Sequence, residues 1–200
     1  MKLSDSDGEI LVKTARLAVT EYLKRGRIMD VSNEIKVKFS YNSGIFVTLT
    51  KEENLRGCIG FPTPDRKLYS SLVDSAVAAA TEDPRFVPVK HEELDDIIFE
   101  ITILTPPVVI KVKNPSEYPS MIKIGRDGLI IKWEFGSGLL LPQVPLEYGW
   151  NEEEFLNYTC EKAGASKDYW KRKSTQILKF EGIVFKEIKP NGPIKRVELP

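Results

Sequence analysis

The segment Leu55-Arg56-Gly57-Cys58-Ile59-Gly60-Phe61 constrains the fold more than any other part of the chain. In an extended strand, alternate side chains point to opposite faces. One face would then carry Leu55, Gly57, Ile59 and Phe61, which form an apolar row whose glycine lets another backbone or a helix come close. The opposite face would carry Arg56, Cys58 and Gly60. The segment therefore predicts a strand with one packed face and one face that combines a guanidinium, a thiol and open space.

This second face is a candidate site. A cation beside a thiol favours the thiolate, so Arg56 is expected to raise the reactivity of Cys58. On this hypothesis Cys58 and Arg56 are catalytic, and Gly60 belongs to the ligand-binding surface. The alternative is that Cys58 is a small residue that fits a crowded strand, since free cysteine is often buried. Cys160 lies on an apolar helix face and is expected to be structural.

Composition and charge narrow the classes of function. The 200 residues carry 29 Lys and Arg against 29 Asp and Glu, so no net charge attracts nucleic acid or an anionic membrane. No apolar run approaches the roughly 18 residues that span a bilayer. The N-terminus lacks signal-peptide features, and two distant cysteines are typical of reduced cytoplasmic thiols. One histidine and no CxxC pair predict neither a metal site nor a cofactor.

The distribution of helix and strand patterns predicts an α+β fold of mainly antiparallel sheets with flanking helices, because strands and helices do not alternate regularly. A capping box at Ser6–Glu9 and the stop at Gly26 predict the first helix. Residues 45–50 and 55–61 predict a hairpin. Thr63-Pro64-Asp65 predicts the start of a second helix. Its alanine face is expected to pack closely against Gly57.

Shorter elements are expected in the second half. Strands are predicted at 108–112, 121–124, 129–133 and 139–141, with a turn at Asp127-Gly128. Asn151 is predicted to cap a helix that ends at Gly164. A long strand is predicted from about Gln176 to Ile188. The whole chain, 1–200, is expected to form a single domain with a smaller subdomain within about 113–150.

Two further groups of residues are candidates for ligand binding. Asp83-Pro84-Arg85-Phe86 could hold an anion through Arg85, or Asp83 could pair with an arginine to fix the loop. Gln143 lies between prolines and could bind a ligand or satisfy the loop backbone. The segment Lys167–Lys173 combines basic and aromatic side chains, as RNA-binding segments do. Because the chain has no net charge, the favoured interpretation of this segment is a solvated helix end.

Several ordered blocks resemble the AMMECR-type family, named for the Alport syndrome, midface hypoplasia and elliptocytosis chromosomal region. They are Leu55–Gly60, Asp83–Phe86, Leu140–Val144 with Gly149-Trp150, and the helix from Phe155 to Gly164. The resemblance spans about 45–185 and is to archaeal-looking members. Many relatives carry histidine in the turn where this chain has Asp127.

The resemblance implies an α+β fold of two unequal subdomains with a cleft in which the hallmark residues gather. It implies no established reaction. Archaeal and bacterial members are often encoded beside, or fused to, a Memo-type domain and a radical SAM enzyme. Three hypotheses follow: a thiol-dependent enzyme acting on a small molecule or peptide, a binding module that works with a Memo-type or radical SAM protein, and a nucleic-acid-binding regulator. The charge balance makes the third the weakest.

Overall fold

A computed structural model describes residues 3–197. In this range the α-helices are α1 (Asp5–Arg25), α2 (Asn33–Lys38), α3 (Leu68–Thr81), α4 (Val144–Tyr148) and α5 (Glu152–Lys162). The strands are β1 (Ile45–Lys51), β2 (Asn54–Phe61), β3 (Ile97–Leu104), β4 (Val108–Val109), β5 (Asp127–Trp133), β6 (Gly136–Leu140), β7 (Gln176–Glu187) and β8 (Ile194–Val197). Short 3₁₀ segments occur at His91–Asp96, Pro115–Glu117, Pro119–Met121 and Tyr169–Lys171.

The chain forms two compact units of unequal length. The first contains the described residues up to Leu104 and those from Ile183 onward, and the second contains residues 105–182. Strand β7 contributes its first residues to the second unit and its last residues to the first. None of the helices within residues 3–197 combines the length and apolar character needed to cross a membrane.

The first unit is a sheet with helices on one face. Its strands follow the order β2-β1-β3-β7, and β8 pairs with β7. Helices α1 and α3 pack together and against the sheet. Alternate residues of β1 and β3 point toward these helices and are buried, including Val47, Leu49, Phe99 and Ile101. The hairpin of β1 and β2 is antiparallel, as predicted. The predicted α+β class is confirmed.

The second unit has its own core. Strand β5 lies between β6 and β7, β4 pairs with β7, and all these pairs are antiparallel. Helix α5 packs on β5 and β6, and its Phe155, Leu156 and Cys160 are buried. Asn151 caps α5 as predicted, because its side chain accepts a hydrogen bond from the Glu154 amide. The three tryptophans of the chain, Trp133, Trp150 and Trp170, lie in this unit.

Several boundaries differ from the sequence prediction. The N-cap of α1 is Ser4, with Asp7 completing the capping box, so the box predicted at Ser6–Glu9 is wrong by two residues. The predicted stop at Gly26 is confirmed, since this residue has a φ of 66°. Helix α3 begins at Leu68 rather than near Pro64. Residues 64–65 instead form a turn that precedes it.

The turn predicted at Asp127-Gly128 is also wrong. Both residues begin β5, and the turn occupies residues 124–126, where Gly125 has a φ of 83°. Asp127 is buried and accepts hydrogen bonds from the Arg126 side chain and the Lys123 amide. Asp127 is therefore a buried carboxylate with hydrogen-bond partners, and it is not part of a hairpin turn. Residues 121–124, predicted as a strand, are not one: Met121 ends a 3₁₀ segment, and residues 122–123 lead into the turn.

Candidate functional site

Strand β2 places Gly57 against helix α3. A Cβ atom on Gly57 would overlap the carbonyl oxygen of Ala79. Gly57 is buried, and Ala76, Ala79 and Ala80 of α3 are buried in the same core. The predicted close packing of an alanine face on Gly57 is therefore confirmed. This contact fixes which face of β2 points to the helices, and so which face is left for a site.

The alternation of β2 is interrupted by a bulge. Leu49 pairs with Gly57, but Thr50 pairs with Leu55, so Arg56 is an extra residue in the ladder. Leu55 consequently shares the face of Thr50, and it is 40% exposed. The prediction that Leu55 belongs to the core-facing row is wrong. Pairing register depends on the partner strand, so the bulge could not be deduced from residues 55–61 alone.

Arg56 is engaged in structural contacts. Its Nε and Nη2 donate to Glu93 Oε2 and Oε1 at 3.2 and 3.0 Å, and its Nη1 donates to the carbonyl of Val87 at 2.9 Å. The hydrogen bonds from Arg56 to the Glu93 carboxylate are the largest reason that the pKa of Glu93 falls to about 2. The Arg56 side chain is only 14% exposed. Its donors therefore hold the loop after α3 and the 3₁₀ segment at Glu93.

Asp83 and Arg85 form a clasp on the outer edge of β2. Asp83 is buried, and its carboxylate accepts hydrogen bonds from Arg85 Nε at 2.9 Å, from Arg85 Nη2 at 2.7 Å and from the Cys58 amide at 2.9 Å. The Arg85 hydrogen bonds are the main reason that the pKa of Asp83 falls well below its usual range. The Arg85 side chain is 54% exposed. The clasp thus presents a fixed guanidinium beside Cys58.

Cys58 belongs to a polar row that crosses the sheet face opposite the helices. Cys58 pairs with Thr48, and Thr48 pairs with Glu100. The Cys58 thiol and the Thr48 hydroxyl are 3.1 Å apart, and Lys186 Nζ lies 3.5 Å from Glu100 Oε2. Burial raises the pKa of Glu100, and Lys186 partly offsets this effect. We call Cys58, Thr48, Glu100 and Lys186 the polar row.

The expected activation of Cys58 by Arg56 is wrong. Burial raises the pKa of the Cys58 thiol. The Thr48 hydrogen bond and the charge of Arg85 lower it, but they do not cancel the effect of burial. The cation that acts on the Cys58 thiol is Arg85, whose Nη2 lies 3.4 Å from the Cys58 carbonyl oxygen, whereas the Arg56 guanidinium pairs with Glu93. Catalytic roles for Cys58 and Arg56 stay predictions. Any stabilisation of the Cys58 thiolate by a cation is assigned to Arg85 instead of Arg56.

The other predicted ligand-binding residues occupy different positions. Gly60 lies on the face of Cys58, where a Cβ would overlap the Ile45 carbonyl and lie 2.5 Å from the Phe46 ring. The absence of a side chain at Gly60 thus makes room for Phe46. Gln143 belongs to the second unit, at the N-cap position of α4, where its carbonyl accepts from Leu146 and Glu147. Its role in ligand binding stays a prediction.

Sequence reasoning missed Thr48, Glu100 and Lys186 because each lies on a different strand from Cys58. Glu100 did carry a signal. It is the single charged residue in the apolar run Ile97–Leu104, and a charged side chain in such a strand needs a partner or a function. Thr48 and Lys186 have no comparable signal, since threonine and lysine are ordinary at half-buried strand positions.

Three other groups of residues contribute less to a site. Cys160 is fully buried, and burial raises the pKa of its thiol to about 11, which agrees with the structural role expected for it. In the segment Lys167–Lys173, Lys167 pairs with Glu161, and Lys171 pairs with Glu153 and Asp168. Within residues 3–197, no group of three or more His, Cys, Asp or Glu side chains could hold a metal ion.

Timed alkylation is expected to modify Cys58 before Cys160 in the folded protein. Cys58 is partly exposed, whereas Cys160 is fully buried and its pKa is about 11. Because the reactive species is the thiolate and the pKa of Cys58 is raised, its labelling at neutral pH should be slower than that of free cysteine and should increase as the pH rises. Mass spectrometry of both sites at several pH values measures this order.

Two arginine variants identify the cation that acts on Cys58. Arg85→Met removes a nearby positive charge, so it should raise the Cys58 pKa further and slow labelling at a given pH. Arg56→Met, whose wild-type guanidinium is bound to Glu93, should change labelling much less. A larger effect of Arg56→Met would contradict the assignment to Arg85. Modification of Cys58 only in denaturant would contradict its accessibility.

The fold and the polar row define an α+β protein in which strand β2, with Cys58, lies at the edge of a mainly antiparallel sheet. The AMMECR1 family model matches residues 12–185. The chain therefore belongs to the AMMECR1 family.

Full-length relatives agree with this assignment. Protein PH0010 of Pyrococcus horikoshii is 47% identical over 203 residues, covering 99% of this chain and 98% of the relative. A protein of Thermococcus onnurineus is 46% identical with the same coverage. A protein of Methanothermobacter thermautotrophicus is 46% identical over 185 residues, covering 92% of this chain and 96% of the relative. The crystal structure of uncharacterized protein PH0010 superimposes with a TM-score of 0.90, at 46% identity and complete coverage of both chains.

Proposed function

We propose that this protein is a ligand- or partner-binding module that holds an anionic group at Arg85, beside Cys58. The observation that carries this proposal is the clasp: a buried carboxylate orients a guanidinium that is itself 54% exposed. A guanidinium fixed in this way loses little conformational entropy when it binds an anion. Within residues 3–197, Nη1 of Arg85 donates to no acceptor, so this group is available to a ligand.

The neighbours of Arg85 restrict what can bind. The Thr48 hydroxyl and the Cys58 thiol offer weakly polar groups, and the Glu100 carboxylate with Lys186 extends the polar row away from the clasp. Phe46, next to Gly60, adds an aromatic surface on the same face. This combination fits a small molecule or a peptide that carries one anionic group and some apolar surface. The partner of such a module could be a Memo-type or radical SAM protein, as the family resemblance implies.

A thiol-dependent enzyme is the second candidate, and one observation favours it. Glu100 lies in the same row as Cys58, and burial raises its pKa. A carboxylate with a raised pKa is a better proton acceptor than an ordinary one, which is the property of a general base. The raised pKa of Cys58 argues against a nucleophile that is already ionised. The binding module is therefore the better supported proposal, and an enzyme would need a ligand that ionises Cys58.

Titration with small acids tests the anion site. Amide NMR shifts of the protein are followed against succinate and inorganic phosphate. We expect saturable shifts at Cys58 and Arg85 in the wild type and binding weaker by about tenfold or more in Arg85→Met, because a charge-assisted hydrogen bond is worth about 1.5–3 kcal/mol. Arg85→Lys keeps a cation but loses the planar fork, so its affinity should be intermediate.

The matched control is Arg25→Met. The Arg25 side chain is 58% exposed and pairs with Glu21 on α1, so it resembles Arg85 in exposure but lies on a helix surface. This variant should bind both acids as the wild type does. Equal dissociation constants for the wild type and Arg85→Met would contradict the proposal, provided that circular dichroism shows both proteins folded.

A further inference from the structure

The outer edge of β2 is open beyond the clasp. The Cys58 amide donates to Asp83, and its carbonyl accepts from Arg85 Nη2 at 3.4 Å, so both groups point away from β1. Backbone direction repeats every two residues in an antiparallel strand, so the N–H and C=O of Gly60 point the same way. Within residues 3–197, neither group of Gly60 has a hydrogen-bond partner outside the β1 ladder. Such an edge can accept another strand.

The open stretch has a defined border. Arg56 binds the Val87 carbonyl and Asp83 binds the Cys58 amide, so the loop after α3 closes the edge from Arg56 to Cys58. The edge becomes available at Gly60, two residues further along. Arg85 lies at the border between the closed and open stretches. An added strand could therefore pair with Gly60, but its path along β2 would end at the guanidinium.

The direction of β2 determines which end of an added strand meets Arg85. The chain of β2 runs from Cys58 to Gly60, so an antiparallel partner runs from Gly60 to Cys58 and arrives with its C-terminal end. Strand residues rise by about 3.4 Å, so the carboxylate would follow about two residues after the one that pairs with Gly60. A parallel partner would bring its N-terminal ammonium to Arg85, which like charge disfavours.

We propose that the edge of β2 binds the C-terminal residues of an extended peptide by strand addition, with the terminal carboxylate at Arg85. This inference rests on the proposed anion site and names its ligand class. The two backbone groups of Gly60 supply the pairing, and Arg85 supplies the charge that fixes register and direction. The peptide side chain opposite Gly60 lies on the face of Phe46, which favours an apolar residue there.

The test uses pooled fluorescent pentapeptides that are randomised at their last three positions. One pool has free C-terminal carboxylates and the other has C-terminal amides. We expect the wild type to capture acid peptides with affinities about tenfold or more above those of the matched amides. The difference should disappear in Arg85→Met and persist in Arg25→Met. Because the change is made in the ligand, this comparison does not depend on a variant of Gly60.

Backbone pairing is tested on the tightest acid peptide. N-methylation of the residue third from its C-terminus removes the donor expected to pair with Gly60 and should weaken binding by about tenfold. Unchanged binding after N-methylation, or equal capture of acids and amides, overturns strand addition. If succinate still binds at Arg85 in either case, the proposed anion site stands. Absence of both succinate and peptide binding overturns the two proposals together.

Discussion

Gly57→Val should lower the free energy of unfolding by about 3 kcal/mol or more, at the upper end of the range for overpacked cores. The first carbon of the new side chain would overlap the carbonyl oxygen of Ala79, which lies within α3 and cannot rotate away. Relief requires a shift of the helix, and this shift disturbs the contacts of α3 with β1 and β2. Urea denaturation followed by far-ultraviolet circular dichroism measures the loss.

The control is the neighbouring substitution Cys58→Ser. Cys58 is on the opposite face of β2, and serine keeps a hydrogen-bonding group near the Thr48 hydroxyl. Its cost should stay within about 0.5–1.5 kcal/mol, the net contribution of one hydrogen bond, and the larger effect should be on ligand binding. Equal losses of stability in the two variants would mean that the faces of β2 are wrongly assigned.

Arg16→Met should destabilise the protein by about 3–5 kcal/mol, because it leaves a buried carboxylate without its cation. Arg16 Nε and Nη2 donate to Glu187 Oε1 and Oε2 at 2.7 and 2.6 Å, and the Glu187 side chain is 3% exposed. The same guanidinium donates to the carbonyls of Leu94 and Ile97. In the variant, Glu187 keeps only the hydrogen bond from the Phe99 amide at 2.9 Å among described residues.

A double variant separates the pair from the cavity that the substitution creates. Arg16→Met combined with Glu187→Met removes both charges, so it should recover a large part of the stability lost in the single variant. Arg25→Met, at an exposed pair on the same helix, should cost less than about 1 kcal/mol. A single Arg16→Met variant as stable as Arg25→Met would show that the buried pair does not hold α1 on the sheet.

The sequence predicts the parts of the fold that depend on neighbouring residues. The stop at Gly26, the cap at Asn151 and the antiparallel hairpin are set by local conformation and periodicity. Close packing at Gly57 could also be predicted, because a glycine in an apolar strand row and an alanine face on a nearby helix are both visible in the sequence. Local patterns predict the wrong structure where a polar residue is buried with hydrogen-bond partners. Asp127 is such a residue, since its pattern predicts a turn but it begins β5.

The candidate site could be predicted only in part. The sequence indicates Cys58 and Asp83-Arg85 separately, but it does not indicate their connection, since a hydrogen bond from the Cys58 amide to the Asp83 carboxylate joins residues 25 positions apart. Strict alternation of side chains would place Arg56 beside Cys58, but the bulge in β2 breaks that alternation. Cross-strand register places Thr48 and Glu100 beside the thiol, and register is a property of the assembled sheet.

The location of the tryptophans decides what an optical measurement can detect. Trp133, Trp150 and Trp170 all lie in residues 105–182, and the Trp150 ring is stacked between Tyr148 and Tyr158 at 4.9 and 4.0 Å. Selectively excited indole emission therefore reports on the second unit, whereas Gly57, Arg16 and Arg85 lie in the first. A tryptophan placed near β2, for example by Phe46→Trp, would provide a fluorophore in the unit that carries the clasp.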